Sequence, residues 1–584
     1  MIKNFLNRTK KPEIILICLI LLVLLTGSIG VFYNYGMLTG GIDETLKINS
    51  TLKFFKDFNL FDKYSTFLPV TIILVIPFIA IILLGYLALG VGGSVDLERL
   101  AIAEAYKFTP YFRFINVIFG LVAIYVFYKI CFLIFKKERL ALIASYFFAT
   151  SLLFAEQIHI AGAWVTQTAM LLIAFYYFLT LLKKQEWKIK EYVISALLIV
   201  LNTEIEAIGF LAIIPFFFVY FKKQKEIFFK ELEFGGKIIN ILKIYCSKIL
   251  RDARLFVFLI TIFLGVAFFS YFQPATFNTY FSLILKAKNL GLNGTVEGLG
   301  IFDRIFGFLE IFMTFEPFLL VLALGGFLTV LFSEFMKNKN LRFFSLFFGS
   351  FFVAYYMALG PIMGAAAERR ALPLIPVLAF FAAVFIEWLF AVSQNKNLKK
   401  IIFVGLAVFL INPIIFDYNL LKPSSYVSAR EFVYKNVTQN AKILDECSLE
   451  INENKEMLEF IRLNAPDYFT TKRNYLFSHS QILDRQKNFF VVSERGVEEK
   501  IDKINFEYLI VCGFTRQKDE VSTILNSFSE RKIENIYDTA EIYNQNFTVD
   551  IRSFADYSSL KNSGIFRLFN VSYHGPRVQI FRLF

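Results

Sequence analysis

Asp43 and Glu44 stand side by side in the polar stretch GGIDETLKINSTLKFFKDFNLFDKY, the only adjacent carboxylates among the first 416 residues. A positioned carboxylate can take a proton from a weak hydroxyl nucleophile, contributing roughly 10²- to 10⁴-fold in rate. The same pair also suits a helix start, with Asp43 as N-cap and Glu44 in the first turn. Leu46, Ile48, Leu52, Phe54 and Phe55 give that helix an apolar face fit for a membrane surface.

Other chemistry-bearing side chains recur at the edges of apolar runs. Glu156 and His159 occur in FAEQIHIAGAWVTQT, either as working groups or as a helix-end carboxylate and an interfacial imidazole. Arg369 and Arg370 open the run ERRALPLIPVLAFFAA, where guanidinium groups either anchor a helix at the headgroups or clamp a phosphodiester bidentately. Lys286 and Lys288 lie in the polar loop 274–304 and are weaker phosphate candidates. Asp43, Glu44 and Glu156 together are a possible holder of Mg²⁺ or Mn²⁺. No H-x-x-x-H or clustered Asp-x-Asp appears, and the chain has only three His, so no dedicated metal motif is read.

The elements that must position these groups are membrane helices. The chain has 584 residues, of which 57% are hydrophobic and 19% charged, and apolar runs long enough to cross a bilayer recur through the first two-thirds. The net charge of +13 sits in short segments between those runs, which is a topology signal and not a nucleic-acid surface. Spans are expected near 13–35, 111–135, 139–155, 165–182, 191–203, 205–221, 254–273, 305–333, 341–360, 371–393 and 400–416. Basic clusters at Lys136-Lys137, Lys183-Lys184, Lys222-Lys223, 337–342 and 396–400 share the side of the N-terminal Lys and Arg, assigned to the cytoplasm. About 11 spans, within a range of 11 to 13, then leave the C-terminus outside.

Residues 67–93 break this parity and are assigned a re-entrant or interfacial outer position, a full span being the alternative. MIKNFLNRTKKPE with the run after it reads as an uncleaved anchor. The basic loop 222–253 is expected along the inner membrane surface. From 417 to 584 the composition turns soluble. SSYVSAREFVYKNV and DEVSTILNSFSERK read as helices, and NAKILDEC, FEYLIVCGF and RVQIFRLF as strands of an extracytoplasmic α/β domain. The five Cys are widely dispersed with no C-x-x-C and imply neither a zinc site nor a disulfide framework; whether Cys447 and Cys512 meet in this domain is not read from the sequence.

Four segments in order resemble GT-C membrane glycosyltransferases, particularly family 39 and its protein O-mannosyltransferase and lipid A aminoarabinose transferase relatives. These are the Asp43-Glu44 loop, the stretch from YFRFINV through FKKERLALIASYFFATSLLFAEQIHIAG, the ERRALPLIPVLAFFAA helix entry, and the closing GPRVQIFRLF. The resemblance implies an inverting transfer of a monosaccharide from a polyprenyl-phosphate donor to a protein, lipid or glycan acceptor on the outer face of the cytoplasmic membrane. It implies Asp43 as general base, with Glu44 orienting it or touching substrate, and Arg369, Arg370, His159, Glu156 and Lys288 as candidates for the donor side. The chain departs from the family where relatives carry a second-loop Asp, offering Glu156 and His159 instead, and where relatives often carry Lys, offering Glu204 and Glu206. It also lacks the WWD-type motif of the metal-dependent oligosaccharyltransferases. The competing readings are a lipid-linked sugar transporter or flippase, and a polysaccharide polymerase or ligase.

Overall fold

A computed structural model describes residues 11–32, 48, 51, 75–77, 79–82, 84, 105–231, 252–272, 309–332, 339–359, 368–393, 397, 402, 404–407, 409–447, 449–466, 471–479, 487–492, 505–513, 524, 525, 528, 531–542 and 577–584. The chain forms two compact units. The first comprises Met1–Ser28, Asn59–Pro77 and Arg113–Pro413; the second comprises Ile29–Phe58, Phe78–Phe112 and Ile414–Phe584.

The first unit is a helical bundle of a polytopic membrane protein. Its helices are α1 (Lys11–Ile29), α2 (Thr109–Phe135), α3 (Glu138–Ala149), α4 (Leu152–Ile158), α5 (Trp164–Leu181), α6 (Ile189–Ile205), α7 (Ile213–Glu231), α8 (Ala253–Phe272), α9 (Pro317–Phe332), α10 (Lys339–Leu359), α11 (Glu368–Ala371) and α12 (Ile375–Val392). Among the described residues, six helices are long and apolar enough to cross a membrane, or seven if α3 and α4 count as one bent span. α8 shows how such a helix meets lipid: Phe256, Phe263, Leu264 and Tyr271 are exposed, a surface that hydrocarbon solvates and water does not.

Small residues let the bundle close. A Cβ on Gly326 of α9 would stand 1.8 Å from the Phe381 carbonyl oxygen of α12, so only hydrogen fits where these two helices cross. At one end of α12, Glu387 accepts hydrogen bonds from Lys137 (2.9 Å) and Arg139, which fixes the basic turn between α2 and α3. Further along the same side, Lys184 pairs with Glu191 at 2.7 Å, and Tyr192 and Tyr220 both donate to Asp252, at 3.2 and 2.9 Å.

Two expected spans are corrected. Residues 139–155 do not form one helix: α3 and α4 are bent by 61° across Thr150 and Ser151. The expected span 305–333 is interrupted at Glu316, which separates the helical residues 309–315 from α9. The basic stretch after Lys222 continues α7 without a break to Glu231; the rest of the loop to 250 lies outside the described residues, as does most of 67–93.

The second unit carries a five-stranded mixed sheet in the order β2-β1-β3-β5-β4. The strands are β1 (Lys442–Asp445), β2 (Phe490–Val492), β3 (Tyr508–Gly513), β4 (Ile533–Asp538) and β5 (Arg577–Leu583). β1 runs parallel to β2 and β3, whereas β5 is antiparallel to both β3 and β4. Alternation sends Ile443, Ile510 and Ile580 to one face and Leu444, Leu509 and Phe581 to the other. Helix α13 (Ser425–Asn436) buries Ala429 and Val433 in the first layer, and α14 (Lys455–Asn464) buries Met457 and Ile461 in the second. The strands expected in NAKILDEC, FEYLIVCGF and RVQIFRLF correspond to β1, β3 and β5. Most of the helix expected over 519–532 lies outside the described residues.

Candidate functional site

The bend between α3 and α4 organises one end of the helical unit. Ser151 caps α4 by accepting from the Phe154 amide at 3.2 Å, and its own hydroxyl donates to Glu316 at 2.6 Å. The Leu153 amide donates to the same carboxylate at 3.0 Å. A buried carboxylate placed against the first amides of α4 satisfies donors that the helix cannot satisfy itself. The bend therefore has an identifiable cause, a side chain from another segment holding the new helix start.

α4 carries Glu156 and ends at His159, both buried. The His159 ring sits between two carbonyl oxygens, with Nδ1 2.5 Å from Ala155 O on its own helix and Nε2 3.2 Å from Thr26 O on α1. A phosphate reaching this imidazole would displace one of those carbonyls. From α2, Asn116 donates to the carbonyls of Ile160 and of Gly162 (3.1 Å), which clamps the loop between α4 and α5. Gly120, one turn further, admits Ile158 so closely that a Cβ there would stand 2.6 Å from its Cδ1.

Arg369 and Arg370 lie on α11, a single helical turn that packs against α4 and leads through the 3₁₀ turn Leu372–Leu374 into α12. Pro373 and Pro376 suit these positions, because a helix start has no use for their missing N–H groups. Both arginines are half-buried. The Tyr355 hydroxyl, at the end of α10, donates to the Arg370 carbonyl at 2.9 Å. Glu206, which follows α6, and Arg370 both lie within electrostatic reach of that hydroxyl. Beside them, Gln167 donates to Asn202 at 3.4 Å, and the close approach of Gly209 to the Asn202 carbonyl leaves no room for a side chain.

The structure thus brings Glu156, His159, Arg369 and Arg370 onto adjoining elements. Asp43, Glu44, Lys286 and Lys288 lie outside the described residues, and so does any cation site built on the first two. Among the described residues no group of three or more His, Cys, Asp and Glu is arranged to hold a metal ion.

Two residues that had no assigned role emerge here. Arg113 is fully buried near the start of α2, three positions before Asn116. Its signal was available: a charge at the mouth of a long apolar helix is costly unless something uses it. Glu316 carried a signal of the same kind, an acid inside the apolar run 305–333 and directly before Pro317.

No protein-family model matches the chain, and comparison with curated proteins finds no match. Solved structures do. The chain is similar to ArnT. The crystal structure of ArnT from Cupriavidus metallidurans bound to undecaprenyl phosphate is 11% identical, with a TM-score of 0.41, covering 89% of this chain and 96% of that one. The apo state of ArnT gives 12% identity and a TM-score of 0.38, covering 88% and 95%. A likeness of this size assigns a role to no residue.

Proposed function

We propose that this chain is a GT-C type glycosyltransferase that moves a monosaccharide from a polyprenyl-phosphate donor to a hydroxyl acceptor on the outer face of the membrane. In this reading Asp43 takes the acceptor proton as the oxygen attacks the anomeric carbon. The bond from that carbon to the phosphate oxygen breaks in the same displacement, so the configuration inverts. Polyprenyl phosphate leaves with the bonding electrons and needs cationic partners more than a proton. Arg369 and Arg370 supply them, and Glu44 orients the base. Glu156, beside the arginines, sets their position or meets the sugar hydroxyls.

The observation that carries the reading is the packing of the Arg369–Arg370 turn against the helix of Glu156 and His159, at the end of the bundle opposite the Lys137–Glu387 contact. Guanidinium groups are suited to binding the phosphate of a lipid carrier. The ordered motif segments of the sequence point the same way. Undecaprenyl phosphate, the lipid bound in ArnT, is of the class assigned here to the donor's carrier.

Binding of polyprenyl phosphate to the purified protein tests the donor side. The double variant R369A/R370A should bind at least about tenfold more weakly, corresponding to about 1.4 kcal/mol, with R369K/R370K intermediate. Equal binding by wild type and the double Ala variant would remove the arginines from the site.

A further inference from the structure

Cys447, in the turn that follows β1, lies against Cys512 of the neighbouring strand β3. The parallel register pairs Ile443 with Tyr508, Leu444 with Leu509 and Asp445 with Ile510. The Glu446 amide donates to Ile510 O at 3.0 Å, which carries the ladder one residue beyond β1. Cys447 follows in the turn, one residue further on. Cys447 is buried in the core layer of Ile443 and Ile510, and Cys512 packs against the same layer. Asp445 fixes the turn that makes this possible: its buried carboxylate accepts from the amides of Cys447 (2.9 Å) and Leu449 (2.7 Å).

Adjacent strands lie about 4.7–4.9 Å apart, inside the Cα separation that a disulfide spans. Both cysteines are thiols in this structure. Cys447 is buried and Cys512 is half-buried. Burial, and then the neighbouring Cys512 thiol, push the Cys447 thiol well above the usual thiol range.

We propose that Cys447 and Cys512 form a reversible disulfide that staples β1 to β3, with a small-molecule or protein disulfide as the oxidant. Cys512, the more accessible thiol, gives its proton to water and attacks one sulfur of the incoming disulfide. That S–S bond breaks, one thiolate leaves, and a mixed disulfide remains on Cys512. Cys447 then loses its proton and attacks Cys512 Sγ, expelling the second thiolate. Two protein thiols are oxidised and one external disulfide is reduced to two thiols. The small thiolate fraction at Cys447 is offset by its fixed position against the mixed disulfide. This inference does not depend on the transfer chemistry proposed above.

The test uses the full chain in detergent, incubated folded with oxidised glutathione, acid-quenched, denatured, blocked with N-ethylmaleimide and digested for mass spectrometry. The expected product is a Cys447–Cys512 linked peptide that dithiothreitol converts to two thiol peptides. In C447S, Cys512 should instead accumulate a glutathione adduct. Recovery of both wild-type cysteines as N-ethylmaleimide adducts, or as two separate glutathione adducts, would overturn the proposal. A linked peptide that appears only after denaturation would do the same.

Discussion

Tyr355 holds Arg370 by its backbone: the phenol donates to the Arg370 carbonyl at 2.9 Å from a fully buried position on α10. The bond fixes the α11 turn without drawing on the guanidinium, which is the group the proposed chemistry needs. Tyr355→Phe keeps the ring and deletes only the donor. It should lower stability by about 1 kcal/mol, the usual worth of one such bond. Polyprenyl phosphate binding should weaken a few-fold, because the turn is less well held. A variant with unchanged melting temperature and unchanged binding would show that the contact positions nothing.

Glu316 provides a second check on how the site is built. Glu316→Ala leaves the Ser151 hydroxyl and the Leu153 amide buried without their shared acceptor, at a cost of about 1–3 kcal/mol for each. Glu316→Gln keeps one carbonyl acceptor and should lose clearly less. Thermal unfolding in detergent separates them: the order wild type, Gln, Ala is expected, and an Ala variant as stable as wild type would show that the bend holds itself.

The α9–α12 crossing predicts a contrast between two glycines. Gly326→Ala drives a Cβ into the Phe381 carbonyl, a backbone atom that no rotamer change can move, so a loss of about 1–3 kcal/mol is expected. Gly349 on α10 has nothing within 4 Å of the same added atom. Gly349→Ala should therefore be neutral, or stabilising by up to about 1 kcal/mol through helix propensity. Equal melting shifts for the two would contradict the close crossing.

Much of this architecture was legible in the sequence because its causes are local. Long apolar runs read as helices, the segment ERRALPLIPVLAFFAA read as a helix entry opened by two arginines, and NAKILDEC, FEYLIVCGF and RVQIFRLF read as the strands that are β1, β3 and β5. What escaped depends on partners distant in the chain. The apolar run 139–155 reads as one helix because nothing in it breaks the pattern strongly. Its bend comes from Glu316, 165 positions from Ser151. β2 is only three residues long, and β4 reads IENIYD, too polar to announce a strand. Glu156 and His159 were picked out by residue type, but the carbonyls that flank the imidazole could be seen only in three dimensions.

The central claim is that sugar leaves a polyprenyl-phosphate carrier with Asp43 as the base. The direct measurement is transfer of labelled sugar from polyprenyl-phosphate monosaccharides to host-membrane acceptors by purified wild type and Asp43→Asn in proteoliposomes. The variant's folding and lipid-phosphate binding are followed in parallel. The account predicts transfer by wild type, and transfer reduced by about 10²-fold or more in a folded Asp43→Asn protein that still binds polyprenyl phosphate. Full activity in Asp43→Asn would contradict the base, and labelled donor crossing the bilayer without any glycosylated product would contradict the transferase reading itself.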